Sequence, residues 1–534
     1  MEFNLADLYE SVAAAVPERE ALVCGQRRLT YAQLDERANR LAHHFVACGI
    51  GAGDHVGLYL YNCTEYIEAS LAAYKVRAVP INVNYRYVEE ELAYLFDNAD
   101  LKCLVYHREF SDKVAAVAAS VNTLEVFVVV DDGSGADSAG LSPAVYDEAL
   151  AASSGGGDFP ERSADDIYIL YTGGTTGMPK GVVWHHEDIF FGAFGGGSPM
   201  GEPVETPAQL AVAAREKPMQ MTMLPVAPLM HGAAQWATFM GLYGGDKIIL
   251  TAGHRFDPHE VWTLVETEKV QSLAIVGDAM ARPLAEALSE DGHSYDISSL
   301  VVLGSGGAIL SAAVKEEIRQ HLPSIMVFDS FGVSETGMQG RGVESSGGPG
   351  PRFAVSPDTY VLDEDYRPVV PGSGQIGRLA RSGHIPLGYY KDQEKTAETF
   401  VVANGVRYSL PGDMATVEED GVITLLGRGS VCINSGGEKI FPEEVEAVLK
   451  AHPEVFDVVV VGVSDERWGQ KVAAVVAPRS GCEPTLDSLA DHCRTRLAGY
   501  KVPRQLHLVA EVLRSPSGKP DYRWARDTAE ASPA

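Results

Sequence analysis

Between residues 55 and 132, apolar runs alternate with stretches of helical period. Residues 55–61, 78–84, 101–107 and 126–132 read as strands. Residues 65–75 and 88–98 read as helices, and a further helix fits between the last two strands. The strands are nearly continuous in apolar residues rather than alternating, so both faces should be buried. Strand–helix alternation of this kind predicts a parallel sheet covered by helices. From about residue 432 the pattern changes. Residues 442–452 form an amphipathic helix with an acidic start, favourable at the positive end of a helix dipole. Residues 455–463 and 471–478 read as strands joined by a polar turn, 486–497 as a helix and 505–512 as a strand. That is a small α+β module of about 100 residues. Residues 133–165 read as a solvated connection and 195–218 as a second irregular stretch rich in Gly and Pro.

Composition narrows the class. A chain of 534 residues is too long for one core and predicts at least two domains. Hydrophobic content of 46% and charged content of 22% are ordinary for a globular protein. The formal charge of −30 argues against nucleic acid as a partner, and an anionic substrate must be met by a local group of cations. The seven cysteines contain no C-x-x-C pair; Cys24, Cys103 and Cys432 have apolar neighbours and read as core filler. A reducing, cytoplasmic location is expected. The acidic N-terminus lacks a signal-peptide shape, and no run of about 18 apolar residues exists to span a membrane.

The candidate chemistry centres on residues 171–181, Y-T-G-G-T-T-G-M-P-K-G. Glycines remove Cβ atoms where a ligand must approach, and free N–H groups with threonine hydroxyls suit phosphate oxygens. Lys180 adds one positive charge. A Walker loop needs Gly-Lys-Ser/Thr opening a helix, and Pro179 and Gly181 break that pattern. The string resembles the phosphate loop of the adenylate-forming superfamily, which includes acyl-CoA synthetases, aryl-CoA ligases, luciferases and peptide-synthetase adenylation domains. Gly173 stands where that family usually has Ser.

Six further blocks follow in family order. Residues 225–232 (P-V-A-P-L-M-H-G) resemble the second signature, which implies that His231 borders the acyl site. Ala233, Ala237 and Gly241 recur every fourth residue and should share a helix face, leaving a wide acyl pocket. Residues 304–308 (G-S-G-G-A) resemble the adenine-side turn, with Gly306, Gly307 and Ala308 against the base and Ser305 keeping the pocket floor low. Residues 329–336 (D-S-F-G-V-S-E-T) resemble the aromatic-Gly-x-Thr-Glu block. The resemblance places Asp329 among the ATP/AMP-binding residues, Phe331 on the adenine, Ser334 at the α-phosphate and Glu335 on Mg²⁺.

Residues 409–413 (S-L-P-G-D) resemble the ribose block, with Asp413 on the ribose hydroxyls and Pro411 replacing a threonine. Residues 427–446 resemble the hinge and its following loop: Arg428 would pair with ribose or phosphate oxygens. Gly436, Gly437 and Glu438 would border the pantetheine path, while Val431 stands where the family's Asp or Lys pivot does. Residues 514–520 (R-S-P-S-G-K-P) resemble the C-terminal element whose lysine, here Lys519, is catalytic.

The resemblance covers nearly the whole chain. It implies an α/β fold: a large N-terminal domain (1–427) of parallel-rich sheets covered by helices, binding AMP and the acyl group. A small α+β C-terminal domain (428–534) on a hinge would carry Lys519. The implied catalytic residues are Lys519, Glu335 and His231. Thr172, Gly173, Gly174, Thr175, Thr176, Gly177 and Lys180 hold the nucleotide together with the blocks above. The implied co-substrates are ATP and CoA with Mg²⁺, and the implied partner is a small-molecule carboxylic acid. The tail resembles the actinobacterial branch that activates steroid side-chain carboxylates. A medium- or long-chain fatty acid, loading of a carrier protein, and a non-catalytic binding module are the alternatives. A homodimer is one admissible assembly.

Overall fold

The computed structural model describes all residues except 175–176, 198–200, 291–293, 309, 344–350, 436–437, 466–467, 516–517 and 532–534. Side chains at 173, 174, 177, 430 and 439 are likewise not described. The chain divides into two compact units: Met1–Ala274 with Ser294–Val302 and His384–Glu398, and Ile275–His293 with Leu303–Gly383 and Thr399–Ala534.

In the first unit, the predicted parallel sheet is present, in the order Val79–Asn82, His55–Tyr59, Leu101–His107, Val126–Val130, Ala144–Val145. Its strands are apolar throughout because both faces are covered; His55–Tyr59 is buried at every position. The helix Thr64–Lys75 lies within one of those covers, buried along its whole length. Four further strands, Glu20–Cys24, Lys247–Leu250, Thr222–Pro225 and Ser272–Ile275, also run parallel, with Arg27–Thr30 antiparallel at the edge.

The glycine- and threonine-rich segment joins the strands Ile167–Gly174 and Gly177–His185 of an antiparallel hairpin, which Gly388–Tyr389 extends to three strands. Two expectations change here. The 195–218 stretch holds the helix Pro207–Glu216, and the sequence does carry its start signal. Thr206 and Gln209 have capping-box spacing, the Gln209 side-chain oxygen accepts from the Thr206 N–H (3.2 Å), and Pro207 stands in the first turn. The 133–165 connection contains the short helix Tyr146–Ala151, which buries Tyr146.

The second unit contains a mainly antiparallel sheet in the order Met326–Val333, Gly337–Gly342, Arg352–Val355, Ile423–Arg428, Asp413–Val417, Gly377–Arg381, Val406–Ser409, Phe400–Ala403. Its C-terminal part is the predicted α+β module. The long strands Val455–Asp465 and Gly469–Pro478 pair antiparallel, and Gln505–Leu508 runs parallel to the second. The run of valines at 458–461 serves two cores. Val458 and Val460 pack with residues of the helices Pro442–Leu449 and Leu486–Arg494, whereas Val459 and Val461 pack with Ala525 and Ala529 of the helix Tyr522–Ala531. Period two in the strand therefore explains why neither face reads as polar.

Candidate active site

The glycine- and threonine-rich hairpin is tied down by a buried side chain. Asn82, at the carboxyl end of its strand and buried, donates to the carbonyls of Tyr171 (2.8 Å) and Met230 (2.7 Å) and accepts from the Tyr171 N–H (2.8 Å). One side chain thus fixes both the hairpin and the segment leading into His231. The Tyr171 hydroxyl donates to Asn98 (2.8 Å). Thr172 pairs across the hairpin with Lys180, whose ammonium meets Asp392 at 2.5 Å. Thr175 and Thr176 lie outside the described residues, and Gly173, Gly174 and Gly177 are placed by the two strands.

His231 caps the helix Gly232–Tyr243, and its carbonyl accepts from the Gln235 N–H at 3.2 Å. Ala233 is exposed and Ala237 half-buried, on the same side as Trp236 and Met240. Gly241 does not share that face: a Cβ there would lie 2.5 Å from Ile248 and 2.8 Å from Met223. At about 100° per residue, eight residues rotate the position by roughly 80°, which turns Gly241 into the core.

In the second unit, Val302–Ser305 ends in the glycine turn. Gly307 has φ +85°, and a Cβ on Gly306 would lie 2.8 Å from the Ser330 hydroxyl. Ser305 is buried; its Oγ accepts from the Gly277 N–H (2.9 Å) and its carbonyl from the Ser330 hydroxyl (3.0 Å). Ala308 is half-buried beside it. Phe331 packs its ring 4.5 Å from that of Phe353 and over Gly340, where a Cβ would reach 2.7 Å. Asp329 Oδ2 accepts from Lys315 (2.6 Å), while its Oδ1 is buried with no hydrogen-bond donor among the described residues. Burial raises its pKa, opposed by Lys315.

Ser334 and Glu335 form the tip between Met326–Val333 and Gly337–Gly342. Gly332 is required there, since a Cβ would sit 2.0 Å from the Gly337 carbonyl. The tip is held from behind. Ser409 donates to the Glu335 carbonyl (2.6 Å), and buried Arg381 donates to the carbonyls of Thr336 (2.8 Å) and Met338. Burial lowers the Arg381 pKa to about 10.

Four charged groups converge near this tip. Asp413 and Arg428 are register partners on neighbouring strands, 3.8 Å apart. Burial raises the Asp413 pKa, Arg428 and Lys519 lower it, and Glu335 raises it further. Lys519 is held below the ordinary lysine range, first by burial and then by Arg428, against the pull of Glu335 and Asp413. Two carboxylates and two cations sharing one partly dry space can receive a polyphosphate and a divalent ion. Lys519 is placed by Ser515: its N–H donates to the Ser515 hydroxyl (3.2 Å), and its carbonyl accepts from the Ser515 N–H (2.8 Å). Before it, Gly518 (φ +72°) rests against Val276 and Ala308; a Cβ there would lie 3.0 Å from the first and 3.7 Å from the second.

Of the hinge block, Gly427 has φ +110°, and a Cβ there would collide with the buried carboxyl of Glu443. Burial and Glu446 push the Glu443 pKa up to about 8. Val431 closes a single 3₁₀ turn. Glu438 is exposed and pairs with Ser435; Gly436 and Gly437 lie outside the described residues.

Comparison with known proteins shows the family. Residues 9–390 match the AMP-binding enzyme family and residues 444–519 the AMP-binding enzyme C-terminal domain. The chain belongs to the AMP-binding enzymes. It is 51% identical to a 3-oxocholest-4-en-26-oate–CoA ligase of Rhodococcus rhodochrous, covering 100% of this chain and 97% of that one. It is 52% identical to a medium/long-chain-fatty-acid–CoA/3-oxocholest-4-en-26-oate–CoA ligase of Mycobacterium marinum, covering 99% and 97%. The fold matches an anthranilate CoA ligase crystallised with anthranoyl-AMP at TM-score 0.85 and 22% identity, covering 99% and 97%.

Within this AMP-binding enzyme, sequence reasoning missed Asn82 and Arg381, and gave Ser409, the first residue of the 409–413 block, no role of its own. Each acts on backbone groups distant in sequence, which a local motif does not record. Among the described residues there is no group of three or more His, Cys, Asp or Glu side chains able to cage a metal, and no helix is long and apolar enough to cross a membrane.

Proposed function

We propose that this AMP-forming acyl-CoA synthetase activates a bulky steroid side-chain carboxylate. The observation that carries the site assignment is the convergence of Lys519 and Arg428 with Glu335 and Asp413. The substrate class is supported by half-identity, over the full chain, to ligases named for 3-oxocholest-4-en-26-oate.

Both substrates are anions, so carboxylate attack on the α-phosphorus is opposed by charge. A carboxylate oxygen forms the new bond to phosphorus while the α–β phosphoanhydride bond breaks and pyrophosphate leaves. Lys519 meets the charge that develops on the phosphate oxygens. Asp413 receives the ribose hydroxyls, Asp329 Oδ1 accepts from the adenine amino group, and Phe331 and the 306–308 turn hold the base. Thr172, Lys180 and the hairpin tip receive the outgoing phosphates. Glu335 is the residue that would hold Mg²⁺, whose chemistry is to neutralise phosphate charge. In the second step the CoA thiol attacks the acyl carbonyl, loses its proton and displaces AMP. Withdrawal of residues 428–534 by hinge motion would remove Lys519 and bring Gly436, Gly437 and Glu438 to the pantetheine path. Ala233, Ala237, Trp236 and His231 border the acyl group.

The test is AMP release and thioester formation over steroid, fatty and aryl acids, with and without CoA. The steroid acid should give the highest kcat/KM, with thioester as product. Preference for a fatty acid would support the second reading, which the M. marinum relative's name favours. Absence of any CoA-dependent product would overturn both.

A further inference from the structure

The helix Gly277–Ser289 carries two features that the adenylation chemistry does not use. The first is a buried chain of charges leading to Lys519. Asp278 accepts from the Ser311 N–H (2.7 Å) through one oxygen and meets the Lys450 ammonium (3.0 Å) with the other. Lys450 lies 3.9 Å from Asp457, which takes a bidentate pair of 2.7 Å bonds from Arg514. Arg514 then donates to the Gly518 carbonyl (3.0 Å), one residue before Lys519. Asp278 and Lys450 are only 8% and 6% exposed, so this chain is little screened by solvent.

The second feature lies one helical turn on. Arg282 is 2% exposed, and none of its three guanidinium nitrogens makes a hydrogen bond among the described residues. Its nearest carboxylate is Glu317 at 3.7 Å, which Arg479 also approaches at 3.5 Å. Its guanidinium faces the ring of Phe456 at 5.5 Å. Burial, followed by the repulsion of Arg479, lowers its pKa. A buried cation without hydrogen bonds is costly, and water would relieve it. Phe456, Lys450 and Arg479 all belong to the segment that adenylation chemistry requires to be docked and thioester formation requires to leave.

We propose that this helix is a two-sided latch: Asp278, through Lys450, Asp457 and Arg514, positions Lys519 for adenylation, and the dehydrated Arg282 biases the docked segment toward release. The two residues sit on one face, four positions apart, and act in opposite senses on the same equilibrium. A ligase must not hold its lysine too well, because the thiol step needs it gone. The inference rests on the reading of Lys519 as the adenylation lysine.

The variants Asp278→Asn, Lys450→Met and Arg282→Met, with Lys519→Ala as control, separate the possibilities in the full-length protein. Without substrate, amide hydrogen exchange over residues 513–521 should quicken in the first two variants and slow in Arg282→Met. With 3-oxocholest-4-en-26-oate, ATP and Mg²⁺, pyrophosphate exchange should fall about tenfold in Asp278→Asn and Lys450→Met but hold in Arg282→Met. Thioester formation from the supplied steroid acyl-adenylate should show the reverse, falling about tenfold only in Arg282→Met. Changes of the same sign for Asp278→Asn and Arg282→Met, or unchanged amide exchange in both, overturn the latch. If Asp278→Asn merely unfolds, Lys450→Met and Arg282→Met still decide it. Undiminished pyrophosphate exchange in Lys519→Ala would instead overturn the role of the lysine, leaving amide exchange to judge the latch.

Discussion

Replacing Lys519 by Ala removes one cation from the charged quartet and leaves Arg428 facing Glu335 and Asp413. A unit charge about 4 Å from a phosphate oxygen contributes roughly 4 kcal/mol at an effective dielectric near 20. Part of that is offset in the resting enzyme, because Lys519 is already desolvated and repelled by Arg428 while attracted by the two carboxylates. Removing one preorganised transition-state donor elsewhere costs about two to three decades in rate, and that range is expected here. The loss should fall on adenylation. Lys519 has no part in the valine cores of the C-terminal module, so the melting temperature should change little. The assay is exchange of labelled pyrophosphate into ATP, run beside single-turnover thioester formation from supplied acyl-adenylate. Equal losses in the two half-reactions would refute the reasoning, as would an exchange rate within about threefold of the parent.

Three further outcomes are expected. Asn82→Ala leaves the Tyr171 N–H and the Tyr171 and Met230 carbonyls without their partner. It should cost about 3 kcal/mol or more in urea unfolding and raise the KM for ATP; an unchanged midpoint would count against the clamp. Gly332→Ala forces a Cβ against the Gly337 carbonyl and should shift the Glu335 tip, weakening Mg²⁺-dependent activity more than stability. Titration of activity against Mg²⁺ checks this. His186 is buried, with its Nδ1 accepting from the Leu5 N–H (3.3 Å) and facing the Asn4 amide (3.1 Å). Burial lowers its pKa from 6.5 to about 4, Asp166 opposing. Between those values the unfolded chain binds the extra proton, so stability is lost as pH falls from 6.5 toward 4, by about 3 kcal/mol in full. Chemical denaturation at several pH values should show that slope, and His186→Asn should flatten it.

Much of the candidate site was legible because the local structure it would use is written in short strings. The turn at 304–308 and the block at 329–336 need glycines where the backbone approaches closely or turns left-handed, and Gly307 and Gly332 are such places. The parallel sheet at 55–130 and the C-terminal module were legible because strands buried on both faces leave unbroken apolar runs. The helix Pro207–Glu216 was legible too, through Thr206, Pro207 and Gln209, but surrounding glycines and prolines outweighed that signal. Gly241 was misplaced because a step of four residues drifts around a helix rather than following its axis.

The order and identity of the candidate residues, the apolar strands around them and the glycines at close backbone approaches are all read from the chain end to end. Local pattern suffices there, because a turn or a covered strand imposes its requirement on adjacent residues. What brings Asp413, Arg428, Glu335 and Lys519 together, makes Asn82 a clamp and leaves Arg282 dry is decided only in three dimensions. Hydrogen bonds and desolvation act between groups tens or hundreds of residues apart, and no spacing along the sequence records which of them will meet.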